Sequence, residues 1–542
     1  MVVQSSRSPL TGWDRLAVPS LLLLALVPYL GALANGFAWD DAFIVLSNPR
    51  VQAGEWVAAL RAPWWPDAFT FSGSGLYRPV ASAALALQWA LWGERPLLFH
   101  AVSLLLHVGV VLLLFGLLRA WAPRWAAWAG AAVFAAHPVH VEAVANVVGQ
   151  TELLAGFFVL TGCLLYQRWL ASERVGERVL LLLGVGASYA LGLGAKEIAV
   201  TLPALVVLIT LIERRSLVRA VPAVALLSAV LLWMLSLRLQ VVGSLRGEVP
   251  APELLGLPTA ARVWTGLGVW LDYARLLILP IDLVADYGPA VRFPAGGLDA
   301  LVALGTLLLV ALVGGAWSLR IRAPLASLGL AWIVVVLLPV SNLLVPAGVL
   351  LAERTLYLPS VGLACAVAAF GSWFPARAPV RAFVAGVLVV AALLALRSTW
   401  RVPVWRDSAA VMASLEASHP ESHLVLRAHA LRAMEQGRTE DARADFERAL
   451  RLVPRHFSLL TEAAQFEALV GNVERARELA SRAVEVYPGS PHGYVVASRV
   501  LLQTGDPVAA RSVLVEGLRV ADPMAPLWTE LERSRTMTQS PP

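Results

Sequence analysis

The sequence predicts an all-α protein: a polytopic bundle of membrane helices followed by an α-solenoid. Three observations lead there. Hydrophobic residues make up 58% of the 542 and charged residues 15%, with a mean hydropathy of +0.69; soluble domains carry roughly 25% charged residues. Apolar runs of roughly 17–22 residues, long enough to span a bilayer, recur as far as about Leu396. Beyond Trp400 they give way to Glu, Arg and Ala at helical spacing, with a 34-residue period.

The spans fall near 16–35, 97–118, 125–141, 152–171, 178–194, 197–212, 218–237, 299–319, 324–345, 357–373 and 380–397, which makes about eleven crossings. The first run, about Leu16 to Ala34, shows no clear cleavage site and reads as a retained helix. Basic loops mark the cytoplasmic side of a membrane protein. Here they are Arg7/Arg15, Arg119/Arg124, Arg174/Arg178, Arg214/Arg215/Arg219, Arg320/Arg322 and Arg377/Arg381. They follow alternate crossings provided that 262–280, which ends at Pro280, re-enters or lies in the interface. The piece 80–93 is too short to span and also reads as interfacial. Arg397, Arg401 and Arg406 run against the scheme, because they follow the last span on the external side. The formal charge of +6 is concentrated in short loops, which points to membrane topology and not to nucleic acid. Cys163 and Cys365 both lie in apolar runs and give no disulfide framework.

This topology divides the chain into a transmembrane domain 1–400, with one large external loop at 36–96, a linker 401–422, a repeat array 423–522 and a tail 523–542. Gly437, Gly471 and Gly505 stand 34 apart, as do Ala442, Ala476 and Ala510, and Pro454 and Pro488; Pro523 comes one residue late. That pattern resembles the tetratricopeptide repeat: Ala where two helices approach closely, Gly near the turn, Pro where a helix must stop. Three repeats are about the minimum that stacks into a stable core.

Polar clusters interrupt the apolar chain, and the topology gathers them on the external side. Ionisable groups at membrane depth are costly and default to a functional reading. Asp40 and Asp41 follow the first span; adjacent carboxylates suit a general base or a divalent cation, or else a solvated loop or helix cap. Arg78 offers a planar fork for phosphate, or is an anchor that snorkels. His137, His140 and Glu142 sit at a helix end, with Glu152 a few residues on; the metal-like spacing is weak and Pro138 disturbs it. Lys196-Glu197 reads as a structural ion pair in a tight turn or as a lipid-phosphate contact. Glu353-Arg354 precedes Tyr357, with Arg354 either reaching a phosphate or pairing with Glu353. Asp272, Tyr273, Arg275, Asp286 and Tyr287 bracket the re-entrant segment. No phosphate-cradling Gly loop, nucleophile elbow or zincin motif is present, so cytosolic nucleotide chemistry has no visible home. What remains suits a substrate with a lipid tail and a phosphate head.

Phe37-Ala38-Trp39-Asp40-Asp41 with Asn48, Tyr77-Arg78-Pro79, His137-Pro138-Val139-His140-Val141-Glu142, Gly149-Gln150-Thr151-Glu152, Lys196-Glu197 and Ala352-Glu353-Arg354-Thr355-Leu356-Tyr357 occur in that order ahead of the repeats. Together they resemble the transmembrane and tetratricopeptide-repeat-containing (TMTC) O-mannosyltransferases and their bacterial relatives. The resemblance implies a GT-C type glycosyltransferase that uses a polyprenyl-phosphate sugar, mannose-like, and keeps its acidic motif in the first external loop. It implies Asp40 or Asp41 as the base on the acceptor hydroxyl. Arg78, Lys196 and Arg354 would hold the lipid phosphate, and His137, His140, Glu142, Glu152, Glu353 and Tyr357 would shape the pocket. No cofactor is required; a divalent metal could be held by Asp40 and Asp41. Gln150 stands where relatives are expected to carry a basic residue, and three repeats are fewer than the arrays of animal members. The implied partners are the lipid-linked sugar, membrane lipid and a protein or glycan acceptor engaged by the repeats, with no nucleic acid. The implied place is a bacterial inner membrane with site and repeats extracytoplasmic. The competing reading is a non-enzymatic, membrane-anchored repeat scaffold, which leaves the polar clusters without a purpose.

Overall fold

A computed structural model describes residues 13–66, 75–245, 250–374 and 377–520. Arg7, Pro523 and the tail 523–542 lie outside the described residues. Every regular element among the described residues is helical. Seven helical stretches are long and apolar enough to cross a membrane: Arg15–Ala34, Pro96–Leu118, Val147–Ala171, Val175–Ala195, Leu217–Val242, Ala300–Leu319 and Pro379–Trp405. Three more of the expected spans coincide with the shorter apolar stretches Glu197–Ile212, Pro324–Val340 and Ser360–Gly371. The fourth short stretch, Pro79–Trp92, is the piece read as interfacial. The chain is an integral membrane protein.

The span drawn at 125–141 differs. Helix Arg124–Ala136 stops before Pro138, and the chain continues as the 3₁₀ turn Pro138–His140 and the short helix Val141–Ala145. Pro cannot donate to the preceding turn, so the helix ends there. Seven of its 13 residues are Ala, the helix is buried on all sides from Trp125 to Ala136, and it packs against Trp13–Leu26, Pro96–Leu118, Ser360–Gly371 and Arg377–Arg401. It is the core of the bundle. Small residues elsewhere also bring backbones together. A Cβ on Gly329 would lie 2.5 Å from the Gly362 carbonyl oxygen, so helices Pro324–Leu337 and Ser360–Gly371 cross with backbones touching.

Loops that precede helices carry the expected stops. Asp299 caps Ala300–Leu319 by accepting from Val302 N at 2.8 Å, and Asp407 caps Ser408–Ser418 through Ala410 N at 2.7 Å. Segment 262–280, expected to re-enter or lie in the interface, belongs to one helix, Thr259–Ile278, packed on Ala300–Leu319.

The C-terminal region forms three helical hairpins: His423–Glu435 with Thr439–Leu452, Phe457–Leu469 with Val473–Val486, and Pro491–Gln503 with Pro507–Val520. Gly437, Gly471 and Gly505 all have φ between +70° and +84°, the left-handed region that favours glycine, at the turn of each hairpin. Ala442, Ala476, Ala449 and Ala483 are fully buried where the paired helices meet. Ion pairs Arg443–Glu467 and Arg427–Glu462 join the first hairpin to the second.

The segment between the two parts is itself helical, and Leu415 and Val425 enter a core with Leu254, Leu276, Leu283, Val284 and Leu356. The first repeat is thus packed into the membrane part. Truncation after Ser408 is expected to strip Leu415 and Val425 from that core and to lower the yield and melting temperature of the purified protein. Truncation after Pro454, which leaves that core whole, is expected to cost much less. Thermal unfolding of both against the full chain is the check; equal melting temperatures for the full chain and the Ser408 truncation would refute a shared core.

Candidate functional site

The first span ends in the 3₁₀ segment Val27–Ala34, and the chain turns sharply at Trp39, which holds φ +55°. A bulky residue in that region is strained and persists only where its surroundings hold it. Trp39 N donates to Ser408 Oγ at 2.9 Å, and a π-helical turn, Ala42–Leu46, follows at once. Both features concentrate at functional sites. They set the two aspartates on opposite errands.

Asp41 is fully buried and faces the protein. Its carboxylate accepts from Ala38 N at 3.0 Å, Val147 N at 3.3 Å and Val148 N at 2.7 Å. It pins the loop after the first span to the turn before helix Gln150–Ala171. Burial nevertheless pushes its carboxyl up to about 7 against the pull of these donors. Asp40 is only partly buried, and its carboxylate makes no hydrogen bond among the described residues. Arg354, Glu142, Arg78 and Lys196 lie within its electrostatic reach. Desolvation raises it above the ordinary aspartate value, more than the three cations lower it. The two-carboxylate cation site considered from the sequence is therefore not formed: both Asp41 oxygens are committed to backbone. Among the described residues no group of three or more His, Cys, Asp and Glu is arranged to hold a metal ion.

The cations around Asp40 are each held by a carboxylate from elsewhere in the chain. Arg78 donates to Glu197 from Nε at 3.1 Å and Nη2 at 2.8 Å, with its guanidinium over the Trp64 ring at 5.3 Å. Lys196 Nζ meets Glu152 Oε1 at 2.5 Å. Arg354 pairs with Glu142 through its side chain, and its backbone N donates to Glu142 Oε2 at 2.8 Å. Lys196 and Glu197 are therefore not each other's partners, and neither are Glu353 and Arg354. Glu353 is fully buried, accepts from Arg401 Nη2 at 3.2 Å and from Tyr287 Oη at 3.1 Å, and is pushed by burial up to about 7 in spite of Arg401. Glu152 Oε2 is buried without a hydrogen-bond partner among the described residues, leaving an acceptor for a ligand.

His137, His140 and Tyr357 belong to a layer behind this constellation. His137 Nε2 sits 3.0 Å from Leu277 O, His140 Nε2 2.9 Å from Ser360 Oγ, and Tyr357 Oη 2.9 Å from His107 Nδ1. All are buried, and the rings of Tyr29, His107, Phe134, His140 and Tyr357 form one aromatic cluster, with Tyr29–His107, Phe134–Tyr357 and His140–Tyr357 edge to face. The resemblance implies His137, His140 and Tyr357 as pocket residues; the structure shows them buried, with the His137 and His140 Nε2 atoms and the Tyr357 hydroxyl engaged by protein partners. Gln150 is likewise internal, bonded to Gln88 and to Phe99 O.

Sequence reading missed His107 and Arg238, and named Asp286 only as bracketing the re-entrant segment. His107 stands alone mid-helix in Pro96–Leu118 and looked like ordinary core. Arg238 sits near the end of an apolar helix and lies within reach of Glu197 and Arg78. Asp286 faces Glu142 and Arg354 from the loop after Thr259–Ile278, and burial pushes it up to about 6. A signal existed for the last two: a charged residue that interrupts an apolar run or precedes an aromatic. Beside Arg78 a groove of about 310 Å³ is lined by Tyr77, Pro79, Leu191, Gly194, Trp233 and Leu237. Its walls are mostly apolar, with Arg61 among them, and Arg78 and Arg238 adjoin its lining residues in the chain.

The two aspartates separate by experiment. Asp41→Asn puts an amide N–H against backbone donors and is expected to destabilise by about 1–3 kcal/mol, the cost of a buried unsatisfied group. Asp40→Asn is expected to leave stability unchanged. Thermal unfolding of each variant decides; equal effects would mean that Asp40 is as structural as its neighbour.

Residues 427–491 match the Tetratricopeptide repeat family. In sequence the chain is similar to protein O-mannosyl-transferases of animals. It is 28% identical to F38B6.6 of Caenorhabditis elegans over 64% of this chain and 50% of that one. It is 26% identical to TMTC1 of Homo sapiens over 79% and 54% of the two chains. It is 38% identical to Tmtc2 of Drosophila melanogaster over a shorter stretch, 33% and 20%. The chain thus spans about half the length, or less, of these relatives. Among solved structures, ArnT from Cupriavidus metallidurans bound to undecaprenyl phosphate aligns over 97% of this chain and 88% of its own, with a TM-score of 0.37 and 13% identity.

Proposed function

We propose, from its kinship with the TMTC O-mannosyltransferases, that this membrane protein is a glycosyltransferase of GT-C type. In this reading it moves a sugar from a polyprenyl-phosphate donor to a hydroxyl of a protein acceptor. The observation that carries the reading is Asp40: a partly open carboxylate with no hydrogen bond of its own among the described residues, within electrostatic reach of Arg78, Lys196 and Arg354, with an apolar groove at the residues flanking Arg78.

The chemistry follows from that arrangement. The prenyl chain lies in the groove between Tyr77–Val80 and Trp233–Leu237, and the phosphate meets the cations at its head. Asp40 takes the proton of the acceptor hydroxyl as its oxygen bonds the anomeric carbon. The bond from that carbon to the phosphate oxygen breaks, and the polyprenyl phosphate leaves with the electron pair. Paired cations hold their positions without rearranging, so their donors are ready for charge that appears only in the transition state. Glu152 Oε2 serves a sugar hydroxyl. A base whose pKa is raised toward working pH is more effective than an ordinary aspartate. The repeats present the acceptor, and site and repeats lie extracytoplasmically in a bacterial inner membrane.

With a polyprenyl-phosphate mannose donor, Asp40→Asn is expected to lose about 10²-fold or more in transfer rate. In the wild type the acid limb of kcat/KM should fall above the ordinary aspartate value of 3.8, because the folded group is raised and is protonated, and lost as a base, earlier as pH drops. The variant should lack that limb. Full activity in Asp40→Asn with authentic donor would remove the base.

Reporter fusions after residues 60, 146 and 348 and in the repeats should read external, and those after 122, 216 and 321 cytoplasmic. A cytoplasmic repeat array would overturn the sidedness and favour the scaffold.

A further inference from the structure

The end of the bundle remote from Asp40 holds a second cavity. Helix Leu202–Ile212 starts beside the site, just after Glu197–Thr201, and its 11 residues carry the chain about 17 Å away at 1.5 Å per residue. There its last turn meets the end of Ala300–Leu319 and the start of Pro324–Leu337. Between the three helices lies a space of about 690 Å³, within the usual range for a ligand pocket. Its walls are apolar: Leu208, Leu211, Val313, Trp317, Leu328 and Val335 are among them. It opens toward the lipid side of the helices, where Leu211, Trp317 and Ile321 are exposed.

Two arginines form its mouth. Arg214 holds φ +52°, off the end of its helix, and its guanidinium donates to Ile321 O at 3.0 Å across the cavity. That contact uses one of five donors. Arg320 lies over the Trp317 ring at 3.7 Å, which fixes the plane of its guanidinium. Arg215, Arg219 and Arg322 are exposed in the same two loops. The nearby acid, Glu213, is turned away and accepts from Trp121 Nε1 at 2.6 Å. An apolar slot in the bilayer region, with a cationic mouth and no acid facing it, is complementary to one kind of molecule. It has room for a hydrocarbon chain and donors for a phosphate.

We infer that this cavity is a binding site for an anionic phospholipid of the leaflet opposite the candidate active site, with the chain between Leu208, Val313 and Leu328 and the phosphate between Arg214 and Arg320. The assignment is independent of the glycosyltransferase reading, since no residue of the Asp40 constellation takes part.

The test is native mass spectrometry of the full chain in detergent, titrated with phosphatidylglycerol or with phosphatidylcholine of the same chains. Phosphatidylglycerol should be retained roughly tenfold or more over phosphatidylcholine, as two cations at a lipid headgroup would give. The double variant Arg214→Ala, Arg320→Ala should lose that preference. Ala331→Trp, which fills the slot and keeps both arginines, should lose bound lipid of either kind. Melting curves should match the wild type for the arginine variant, because both side chains are exposed. Equal retention of the two lipids by the wild type would make the cavity an ordinary lipid-facing crevice and overturn the inference. So would undiminished retention in both variants. Glycerol phosphate displacing phosphatidylglycerol at equal concentration would assign the arginines to a free phosphate instead of a lipid.

Discussion

Charge buried beside lipid must be paired, and in this protein the pairs are what connect the chain to itself. Arg354 meets Glu142 across 212 residues, Arg78 meets Glu197 across 119, Arg401 meets Glu353 across 48 and Lys196 meets Glu152 across 44. An isolated buried ion would neutralise or drag in water; a pair with satisfied geometry can stay. Each pair therefore fixes two loops against each other at one end of the bundle. Asp41 does the same with backbone donors, tying the loop after the first span to Val147 and Val148. The result is a rigid rim around Asp40, the one carboxylate in the set without a partner of its own. Removing a single member of a buried pair leaves the other ion uncompensated, so these residues answer for stability as well as for any chemistry.

How much of this could be read from sequence follows from the kind of interaction. Spans and repeats are periodic, so they are visible in one dimension: Gly437, Gly471 and Gly505 announce three turns, and ten of the eleven expected spans fall on long or shorter apolar helices. The eleventh, 125–141, is a helix that stops at Ala136, because Pro138 ends it, and continues as a 3₁₀ turn. The polar clusters were visible too, as breaks in apolar runs. Their partners were not. Lys196-Glu197 and Glu353-Arg354 look like neighbours that pair, yet adjacent side chains on a turn point apart, and all four find partners at long range. The partners of His137 and His140, which the resemblance implies as pocket residues, were equally invisible. A histidine ring in this setting meets a carbonyl or hydroxyl more readily than it stays open, and both do so.

The three arginines after the last span illustrate how pairing and topology differ. The positive-inside bias counts Lys and Arg near span ends, and Arg397, Arg401 and Arg406 there argue for the cytoplasmic side. The structure places them at the site end of the bundle. Arg397 donates to Ile281 O at 2.7 Å, Arg401 is buried on Glu353, and Arg406 pairs with Asp407 at 3.0 Å. Whichever side the site faces, these residues face it as well. Their positions are explained by what they hold: Arg397 secures the loop after Thr259–Ile278, and Arg401 secures the segment that carries Arg354.

That same stretch joins the repeats to the site. Asp407 caps the helix that follows, and Ser408 Oγ, at the helix start, accepts from Trp39 N one residue before Asp40. On the far side of that helix, His423 opens the first repeat and lies against Gly288, where an added Cβ would sit 2.8 Å from Asp286 Oδ2 and 2.9 Å from the His423 ring. Asp286 in turn faces Glu142 and Arg354. The linker helix therefore touches the loop that carries Asp40, the start of the array touches the loop that carries Asp286, and the connection between them is helical. A partner held along the array would be fixed in register with the open carboxylate by packing alone. A tethered array would instead raise only the local concentration of a partner and leave its orientation to chance. The geometry favours orientation, which is the larger contribution when a single hydroxyl must be aligned with a base and a leaving group.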